Sequence, residues 1–367
     1  MKILWFTWKD LKNPLSGGAE SLNENIAKDL VNRGYEVIFI VAGFKDCKKE
    51  EIISGYKVLR LGNKWNVYLI AFFYYMKNLK GWADLVIDEV NTVPFFTKLY
   101  VKEKNILLVP QLCRIIWFYE MFFPLNIIGY ILEPLYLWLL SDRKVITISE
   151  STKKDLLRFG FKEKNIYIVN KIINIETIIN PEAIKKYDNP TILSLGSMRK
   201  MKRTIDIIKS FELSKKNNNN LKLIVAGDSN SSYGKKVLNI ISTSKFKKDI
   251  TYYGRVSLHK KIELMQKSHI ILVTSVKEGW GLIVTEANSQ GTPAIVYNID
   301  GLRDSVMDGQ TGLICKKNTP NELASNIIQL LSNVLIYQRL RKNCWEYSKN
   351  NNFDKIDDNF FEFINNI

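Results

Sequence analysis

Two glutamates and the glycine turn between them are the residues of this chain best suited to chemistry. Glu278 and Glu286 are eight positions apart, and Gly279-Trp280-Gly281 lies between them. The apolar run 270–273 predicts a buried strand before the turn, and Leu282 to Gln290 predicts a helix after it. Such a turn can bind phosphate, because free N–H groups at the helix start face an anion. Glu286, about one turn into the helix, could then accept hydrogen bonds from a ribose hydroxyl pair. The pattern fits an ordinary turn with two surface acids equally well.

A basic cluster follows another predicted strand. The run from Gly196 to Arg203 holds Arg199, Lys200 and Lys202 besides Arg203, directly after the strand at Thr191 to Leu195. Cations at a strand's carboxyl end can neutralise a diphosphate, either bound or departing. A solvated basic turn is the alternative interpretation.

Glycines mark further positions where strands end. Gly17-Gly18-Ala19-Glu20 lies where the first strand meets the first helix, and an open parallel sheet binds phosphate-bearing ligands there. Gly227-Asp228 and Gly254-Arg255-Val256 follow two later strands. We interpret Gly227, Arg255 and Val256 as candidates for the walls around a nucleotide base.

The alternation of apolar runs with helical patterns predicts an α/β fold with parallel sheets, which would position these turns at the ends of strands. At 367 residues the chain is expected to form two domains, and the polar stretch 180–189 is the best linker candidate. The predicted strands are Ile3 to Thr7, Val37 to Val41, Leu85 to Ile87, Ile106 to Val109 and Val145 to Ile148, then Thr191 to Leu195, Leu221 to Ala226, Ile250 to Tyr253, Ile270 to Thr274, Ala294 to Val296 and Gly312 to Ile314.

Composition limits the partners. The net charge of +16 suits nucleic acid, an anionic membrane surface or anionic substrates, and compositional drift also accounts for it. No basic block typical of a nucleic-acid arm is present, so no nucleic-acid partner is expected. The first apolar run is too short for a secretory signal, and the four cysteines are scattered, so we expect a cytoplasmic protein. With two histidines and no ligand spacing, no metal is expected.

Two apolar, aromatic segments depart from the residue pattern of a soluble globular protein. They are Trp65 to Met76 and Ile115 to Leu140, and polar residues interrupt the second one. We interpret both as helices that suit the headgroup layer of a membrane without spanning it. Packing in the core or in an oligomer interface is the alternative.

Taken together, the motifs resemble those of the retaining nucleotide-sugar glycosyltransferases of family 4. The resemblance covers roughly Ile3 to Leu331, and the motifs occur in the order that the family shows. They are Gly17-Gly18-Ala19-Glu20, Ser149-Glu150-Ser151-Thr152, Ala226-Gly227-Asp228, Glu278-Gly279-Trp280-Gly281 with Glu286-Ala287, Gly291-Thr292-Pro293 and Asp308-Gly309-Gln310-Thr311-Gly312-Leu313.

The resemblance implies a GT-B fold, in which two Rossmann-like domains face each other across a cleft. The expected domains are residues 1–178 for the acceptor, 179–345 for the nucleotide sugar, and 346–367 as a helix crossing back to the first domain. It also implies a UDP- or GDP-sugar donor, a glycan or lipid-linked acceptor, and no cofactor or metal. The enzyme would be a hexosyltransferase of cell-envelope glycan synthesis, at the inner face of the membrane.

Site roles follow from the resemblance residue by residue. Glu286 would hold the donor ribose, Glu278 the transferred sugar, and Lys202 the diphosphate. Backbone N–H groups near the sugar and phosphates would come from the glycine turn and the helix start, and glycines of the first domain would contact the diphosphate. These backbone positions are Gly279, Gly281, Leu282 and Ile283, with Gly17 and Gly18.

Two positions depart from the family. Ser197 stands where an arginine commonly follows the strand-end glycine, and we expect Arg199 rather than Arg203 to replace it. Gln111 follows the strand at Ile106 to Val109, where many members carry a histidine, and an amide can orient a hydroxyl but cannot act as a base. A sugar-nucleotide epimerase on the same fold, or a non-catalytic protein that binds membranes or nucleic acid, are the alternatives.

Overall fold

A computed structural model describes residues 1–169, 173–351, 353, 356 and 358–367. Its strands, in chain order, are β1 (Lys2–Phe6), β2 (Glu36–Ala42), β3 (Glu50–Ile53), β4 (Tyr56–Leu61), β5 (Leu85–Glu89), β6 (Lys104–Leu108), β7 (Val145–Thr147), β8 (Ile166–Ile168), β9 (Thr191–Leu195), β10 (Lys222–Ala226), β11 (Ile250–Tyr252), β12 (Ile270–Val273), β13 (Ala294–Val296) and β14 (Gly312–Ile314).

Helices alternate with the strands. The α-helices are α1 (Gly18–Asn32), α2 (Val67–Tyr74), α3 (Trp117–Glu120), α4 (Leu125–Leu140), α5 (Glu150–Arg158), α6 (Thr204–Ser214), α7 (Ser232–Thr243), α8 (Leu258–Lys267), α9 (Leu282–Ser289), α10 (Leu302–Ser305), α11 (Pro320–Ser332), α12 (Val334–Asn350) and α13 (Asp358–Asn365). A π-helical turn, Tyr75–Leu79, continues α2. Short 3₁₀ helices occur at Thr97–Leu99, Arg114–Ile116, Glu163–Asn165, Pro181–Ala183, Lys200–Lys202 and Lys247–Asp249.

The chain divides into two compact units. Unit 1 consists of Met1–Arg114, Ile127–Asn174 and Phe353–Ile367, and unit 2 of Ile115–Asn126 and Ile175–Asn352. The domain boundaries predicted after residues 178 and 345 differ from this division and stay predictions.

Unit 1 is built on an eight-stranded sheet in the order β3-β4-β2-β1-β5-β6-β7-β8. All neighbours are parallel except β3 and β4, which form an antiparallel hairpin at one edge. The central strands are buried along nearly their whole length, as expected for a parallel sheet covered by helices on both faces. α13 also belongs to this unit: Arg33, directly after α1, pairs with Asp358 at 2.6 Å and stacks over the Phe361 ring.

Unit 2 is built on a six-stranded, wholly parallel sheet in the order β11-β10-β9-β12-β13-β14. The chain moves outward from β9 through β10 and β11, then returns to the other side of β9 with β12. The loops that follow the neighbouring strands β9 and β12 therefore run in opposite directions. Ligands of open parallel sheets bind in the crevice between two such loops.

The α/β class with two parallel-sheet units is confirmed, and each of the eleven predicted strands overlaps an observed one. β3, β4 and β8 were not predicted. β3 carries Glu50 and Glu51, so no apolar run reveals it, and β8 has only three residues. The turn Ser54-Gly55, with φ of 49° and 89°, is the signal that could have revealed the hairpin.

Among the residues that the structure describes, no helix has the length and apolar character needed to cross a membrane. The apolar segment Ile115 to Leu140 contains two helices, α3 and α4, and the longer one has 16 residues with Pro134 inside it.

Candidate functional site

Three glycines bring the strand ends of unit 2 close together. Gly196, Gly227 and Gly254 follow β9, β10 and β11, and all have positive φ. The N–H of Gly227 donates to the Gly254 carbonyl at 2.7 Å. A Cβ on Gly227 would lie 1.9 Å from the Gly196 carbonyl oxygen, so the close approach of these loops requires glycine.

Glu278 and Lys202 meet beside these loops. Nζ of Lys202 lies 2.5 Å from Oε1 of Glu278, and the Ser275 hydroxyl donates to the same oxygen at 2.5 Å. The side chains are 29% and 14% exposed, so the pair is partly open to solvent rather than buried in the core. Two residues predicted to act on the same ligand, 76 positions apart in the chain, are thus brought together.

Backbone hydrogen bonds fix the loop that carries Lys202. The 3₁₀ turn Lys200–Lys202 is tied to the end of β12, because Val276 N–H donates to the Met201 carbonyl at 2.9 Å. The Thr274 hydroxyl donates to the Lys202 carbonyl at 2.8 Å. Met201 itself is buried, which anchors the turn between its two exposed or half-exposed lysines.

The two candidate arginines have different partners. Arg199 is exposed and lies 3.4 Å from Oε2 of Glu120. Arg203 pairs with Asp206 at 2.6 Å and stacks over the Tyr297 ring, whose hydroxyl donates to the same aspartate. Arg203 is therefore part of a structural network, whereas Arg199 holds a weaker, solvent-exposed contact.

The glycine turn before α9 is held by a glycine in the left-handed region and by a buried tryptophan. Gly281 precedes the helix with φ of 86°, and a Cβ there would lie 2.7 Å from a Leu302 methyl group. The buried Trp280 indole donates to the Thr285 hydroxyl at 2.8 Å and anchors the turn. N–H groups at the start of a helix lack carbonyl partners within it, so those of Gly281, Leu282 and Ile283 suit an anion.

Glu286 lies on α9 and contacts a residue that sequence reasoning missed. Nζ of Lys261, on α8, is 2.6 Å from each carboxylate oxygen of Glu286. Burial raises the pKa of Glu286, and the charge and hydrogen bond of Lys261 act against that rise. The sequence offers no signal for this pair, since Lys261 resembles any other lysine of a surface helix.

The loop after β11, which was predicted to face the nucleotide base, carries one exposed residue and one residue that packs against the core. Arg255 is exposed, while Val256 packs against the apolar core of unit 2. The Tyr252 hydroxyl donates to the Gly227 carbonyl at 3.2 Å and to Ser229 at 2.8 Å, which fixes the neighbouring loop.

In unit 1, the loop between β1 and α1 is held by an acid. Gly17 N–H donates to Oε2 of Glu20 at 2.6 Å, and Lys9 lies 3.2 Å from Oε1 of the same residue. Gly18 is the first residue of α1. Glu20 therefore shapes the glycine loop, a role that its position in the motif did not by itself reveal.

A second buried acid lies at the carboxyl end of β5. Glu89 accepts a hydrogen bond from Asn23 of α1 at 2.6 Å. Burial, more than the nearby Glu20, raises the pKa of Glu89 to about 8. Sequence reasoning missed this residue because it lies at the end of an apolar strand rather than in a recognisable motif.

Gln111 lies three residues beyond the end of β6, in the same unit. Its side-chain oxygen is buried and accepts no hydrogen bond from the described part of the chain. Such an oxygen can accept a hydrogen bond from a substrate hydroxyl.

No cluster of three or more histidine, cysteine, aspartate or glutamate side chains suited to a metal occurs in the described ranges. The expectation that no metal is used stays a prediction.

Two family models match consecutive parts of the chain. The model described as Glycosyltransferase Family 4 matches residues 16–177, and the one described as Glycosyl transferases group 1 matches residues 175–351. This chain is a family 4 glycosyltransferase. It transfers a sugar from a nucleotide sugar, and the alternative interpretations as an epimerase or a non-catalytic binding protein are set aside.

Similar proteins include two uncharacterised glycosyltransferases. One from Haemophilus influenzae is 25% identical over 93% of this chain and 94% of its own length. One from Methanocaldococcus jannaschii is 30% identical, and the match spans 58% of this chain and about half, 56%, of that relative.

Solved structures show the same GT-B fold. Anabaena HepE, in complex with UDP and glucose, superimposes with a TM-score of 0.75 at 14% identity, over 100% of both chains. WaaG, a glycosyltransferase involved in lipopolysaccharide biosynthesis, gives a TM-score of 0.73 at 16% identity, over 95% of both chains. At these identities the likeness shows the fold alone.

Proposed function

We propose that this enzyme transfers a hexose from a UDP-sugar to a hydroxyl of a membrane-associated glycan or lipid-linked precursor, with retention of the anomeric configuration. The observation that carries the proposal is the Lys202–Glu278 pair beside the glycine turn of α9. A cation, an acid and the N–H groups at a helix start, all beside the ends of parallel strands, match the needs of a sugar diphosphate.

Each group has a role in the proposed reaction. Lys202 stabilises the negative charge that grows on the diphosphate as the sugar–oxygen bond breaks. The N–H groups of Gly281 to Ile283 bind the phosphates or the sugar, and Glu286 accepts hydrogen bonds from the ribose hydroxyls. Once Lys202 turns to the diphosphate, Glu278 is released to accept hydrogen bonds from the hydroxyls of the transferred sugar.

Retention requires that the acceptor attack from the face that the leaving group departs from. A leaving phosphate oxygen on that face can accept the acceptor's proton, so the route needs no strong base from the protein. Gln111 fits this scheme, because its amide oxygen can orient a hydroxyl without taking its proton.

Uridine as the donor base is supported by HepE, whose structure contains UDP and glucose. Thermal stabilisation by UDP, GDP and their sugars tests this choice. A ligand at a hundred times its dissociation constant stabilises by about 2.7 kcal/mol, and we expect that response from UDP and one UDP-sugar. Stabilisation by GDP alone would contradict the uridine proposal, and no response to any nucleotide would contradict the donor site.

Incubating the stabilising sugar nucleotide with candidate lipid-linked acceptors tests transfer itself. The product's anomeric proton coupling, measured by NMR, should match that of the donor. An inverted product would overturn the proposed mechanism.

Membrane association is supported by the exposed apolar faces of α2 and α4. Leu69 and Phe73 of α2 are each 61% exposed, and Leu135 and Trp138 of α4 are 60% and 72% exposed. Aromatic helices with nearby cations suit the interface of an anionic membrane.

WaaG's role in lipopolysaccharide biosynthesis supports an envelope glycan as the product. The location at the inner face of the cell membrane remains a prediction.

A further inference from the structure

The contact between Lys261 and Glu286 has an unusual geometry for a surface ion pair. Nζ of Lys261 donates to Oε1 at 2.6 Å and lies 2.6 Å from Oε2, so the ammonium contacts both oxygens. The two side chains are 23% and 12% exposed. An ion pair this sheltered is screened less than an exposed one, and its charge acts strongly on the carboxylate.

Other charged groups around α9 have different partners. On α8, Lys260 and Lys267 both pair with Glu263. On α10, Arg303 pairs with Asp300, and on α12, Arg341 donates to the carbonyls of Pro181 and Ile184. Among the described residues, Lys261 is the charged group that acts on the ionisation of Glu286.

The carboxylate needs such a partner to bind a ribose. Burial favours its protonated form, and Lys261 opposes that effect. A protonated carboxyl would use one oxygen as a donor and could not accept from two hydroxyls through both oxygens. An ionised carboxylate offers about four acceptor sites, so an ammonium on one side leaves capacity for a hydroxyl pair.

We infer that Lys261 is a positioning residue for the nucleotide, which holds the Glu286 carboxylate ionised and oriented so that both of its oxygens can accept from the ribose hydroxyls. The inference rests on the proposed donor site and adds a residue that no motif of the chain contains. Lys261 acts through Glu286 and need not touch the ligand.

The test compares UDP affinity at pH 8.5 and pH 6.0 by calorimetry for the wild type, Lys261→Met and Lys261→Arg. Removing the ammonium raises the pKa of Glu286 further, so the variant loses its carboxylate at a higher pH than the wild type does. The ratio of the Lys261→Met dissociation constant to the wild-type value should therefore rise severalfold from pH 8.5 to pH 6.0, because a larger share of the variant's Glu286 is protonated at the lower pH. Dividing by the wild-type value removes the titration of UDP itself.

Three controls separate positioning from a structural role. Lys261→Arg keeps the charge and should retain the wild-type pH dependence of UDP affinity. If Lys261 had only a structural role, restoring the charge with arginine would not restore that pH dependence. Lys267→Met removes a lysine from the same helix that pairs with Glu263, and it should leave the ratio flat. With 2′,3′-dideoxyuridine diphosphate, which lacks both hydroxyls, the ratio for Lys261→Met should also stay flat.

The outcomes distinguish the inference from the proposed function. A wild-type protein that binds no nucleoside diphosphate would contradict the donor site itself. Wild-type binding with a pH-independent ratio for Lys261→Met would overturn only the inference. Tighter binding by Lys261→Met at both pH values would show that the ammonium competes with the ribose, which also overturns it.

Discussion

At the scale of single residues, the pair of Lys202 and Glu278 holds a cation ready beside the glycine turn. Each side chain is partly open to solvent, so rotating Lys202 toward a diphosphate exposes no deeply buried charge. In the proposed reaction, the stabilisation by Lys202 is greatest in the transition state, because negative charge on the diphosphate increases as the bond to the sugar breaks.

Lys202→Ala should therefore lower kcat by about 100-fold, the scale for losing one group that stabilises developing charge, and change the donor KM much less. Steady-state kinetics with the donor measure both. Lys200→Ala is the matched control, since Lys200 is in the same turn but stacks over Tyr119. A rise in KM with an unchanged kcat would show that Lys202 only holds the ground state.

The contacts of Arg199 and Arg203 predict different effects of their removal. Arg203→Ala breaks contacts with Asp206 and the Tyr297 ring, and losing about 1 kcal/mol in a unit of this size should lower Tm by roughly 2–4 °C. Arg199→Ala should leave Tm unchanged and lower kcat. Calorimetry and steady-state kinetics on both variants show which arginine contacts the diphosphate. If Arg199→Ala is active while Arg203→Ala is folded but inactive, that role belongs to Arg203.

Residue types and spacing predicted Glu278, Glu286 and the basic turn, because a motif places each beside a strand end. They could not predict Lys261 or Glu89. Lys261 is one of 53 lysines and arginines, and only the packing of α8 against α9 selects it. Glu89 ends an apolar strand, and its raised pKa comes from burial that the sequence does not express.

At the scale of elements, the strand ends of unit 2 depend on glycines for two separable reasons. Gly196 and Gly227 have similar φ values of 140° and 149°. A Cβ on Gly227 meets the Gly196 carbonyl, whereas a Cβ on Gly196 has no heavy atom within 4 Å. Gly196 is thus required by backbone conformation alone, whereas Gly227 is required both by backbone conformation and by the lack of space for a Cβ.

Gly227→Ala should cost about 3 kcal/mol or more of unfolding free energy, because strain and a backbone clash add, while Gly196→Ala should cost only the strain, about 1–2 kcal/mol. Urea unfolding of the two variants measures the difference. Equal losses would mean that the loop after β9 moves to admit the methyl group.

Continuous apolar runs identified most strands, because a parallel strand buried on both faces needs them. The edge hairpin of β3 and β4 escaped prediction for the converse reason: β3 has alternating exposure and two glutamates. The long aromatic segment was interpreted as a helix and contains two, α3 and α4, because its division depends on packing that composition does not specify.

At the scale of the whole molecule, the charge of +16 and the exposed apolar faces act on the same kind of partner. In the proposed membrane association, cations would attract the protein to an anionic bilayer over about a Debye length, and the apolar side chains would then enter the interface. Neither feature alone identifies a membrane, since drift can produce the charge and an oligomer interface could cover the faces.

The protein should bind vesicles that contain anionic lipid, and the double variant Leu135→Ser/Trp138→Ser should bind about 10- to 100-fold more weakly. A large apolar side chain contributes roughly 1.5–3 kcal/mol when it is fully buried, and these two side chains would enter the interface only in part. Sedimentation with vesicles at several salt concentrations measures this. Leu335→Ser is the control, since Leu335 is 79% exposed on α12 of the other unit and should not affect binding. Binding should weaken with salt, and alkaline extraction should release the protein, because it lies on the bilayer surface. If both variants bind like the wild type, or if neither protein nor variant binds at low salt, α4 instead faces another protein copy or a soluble acceptor.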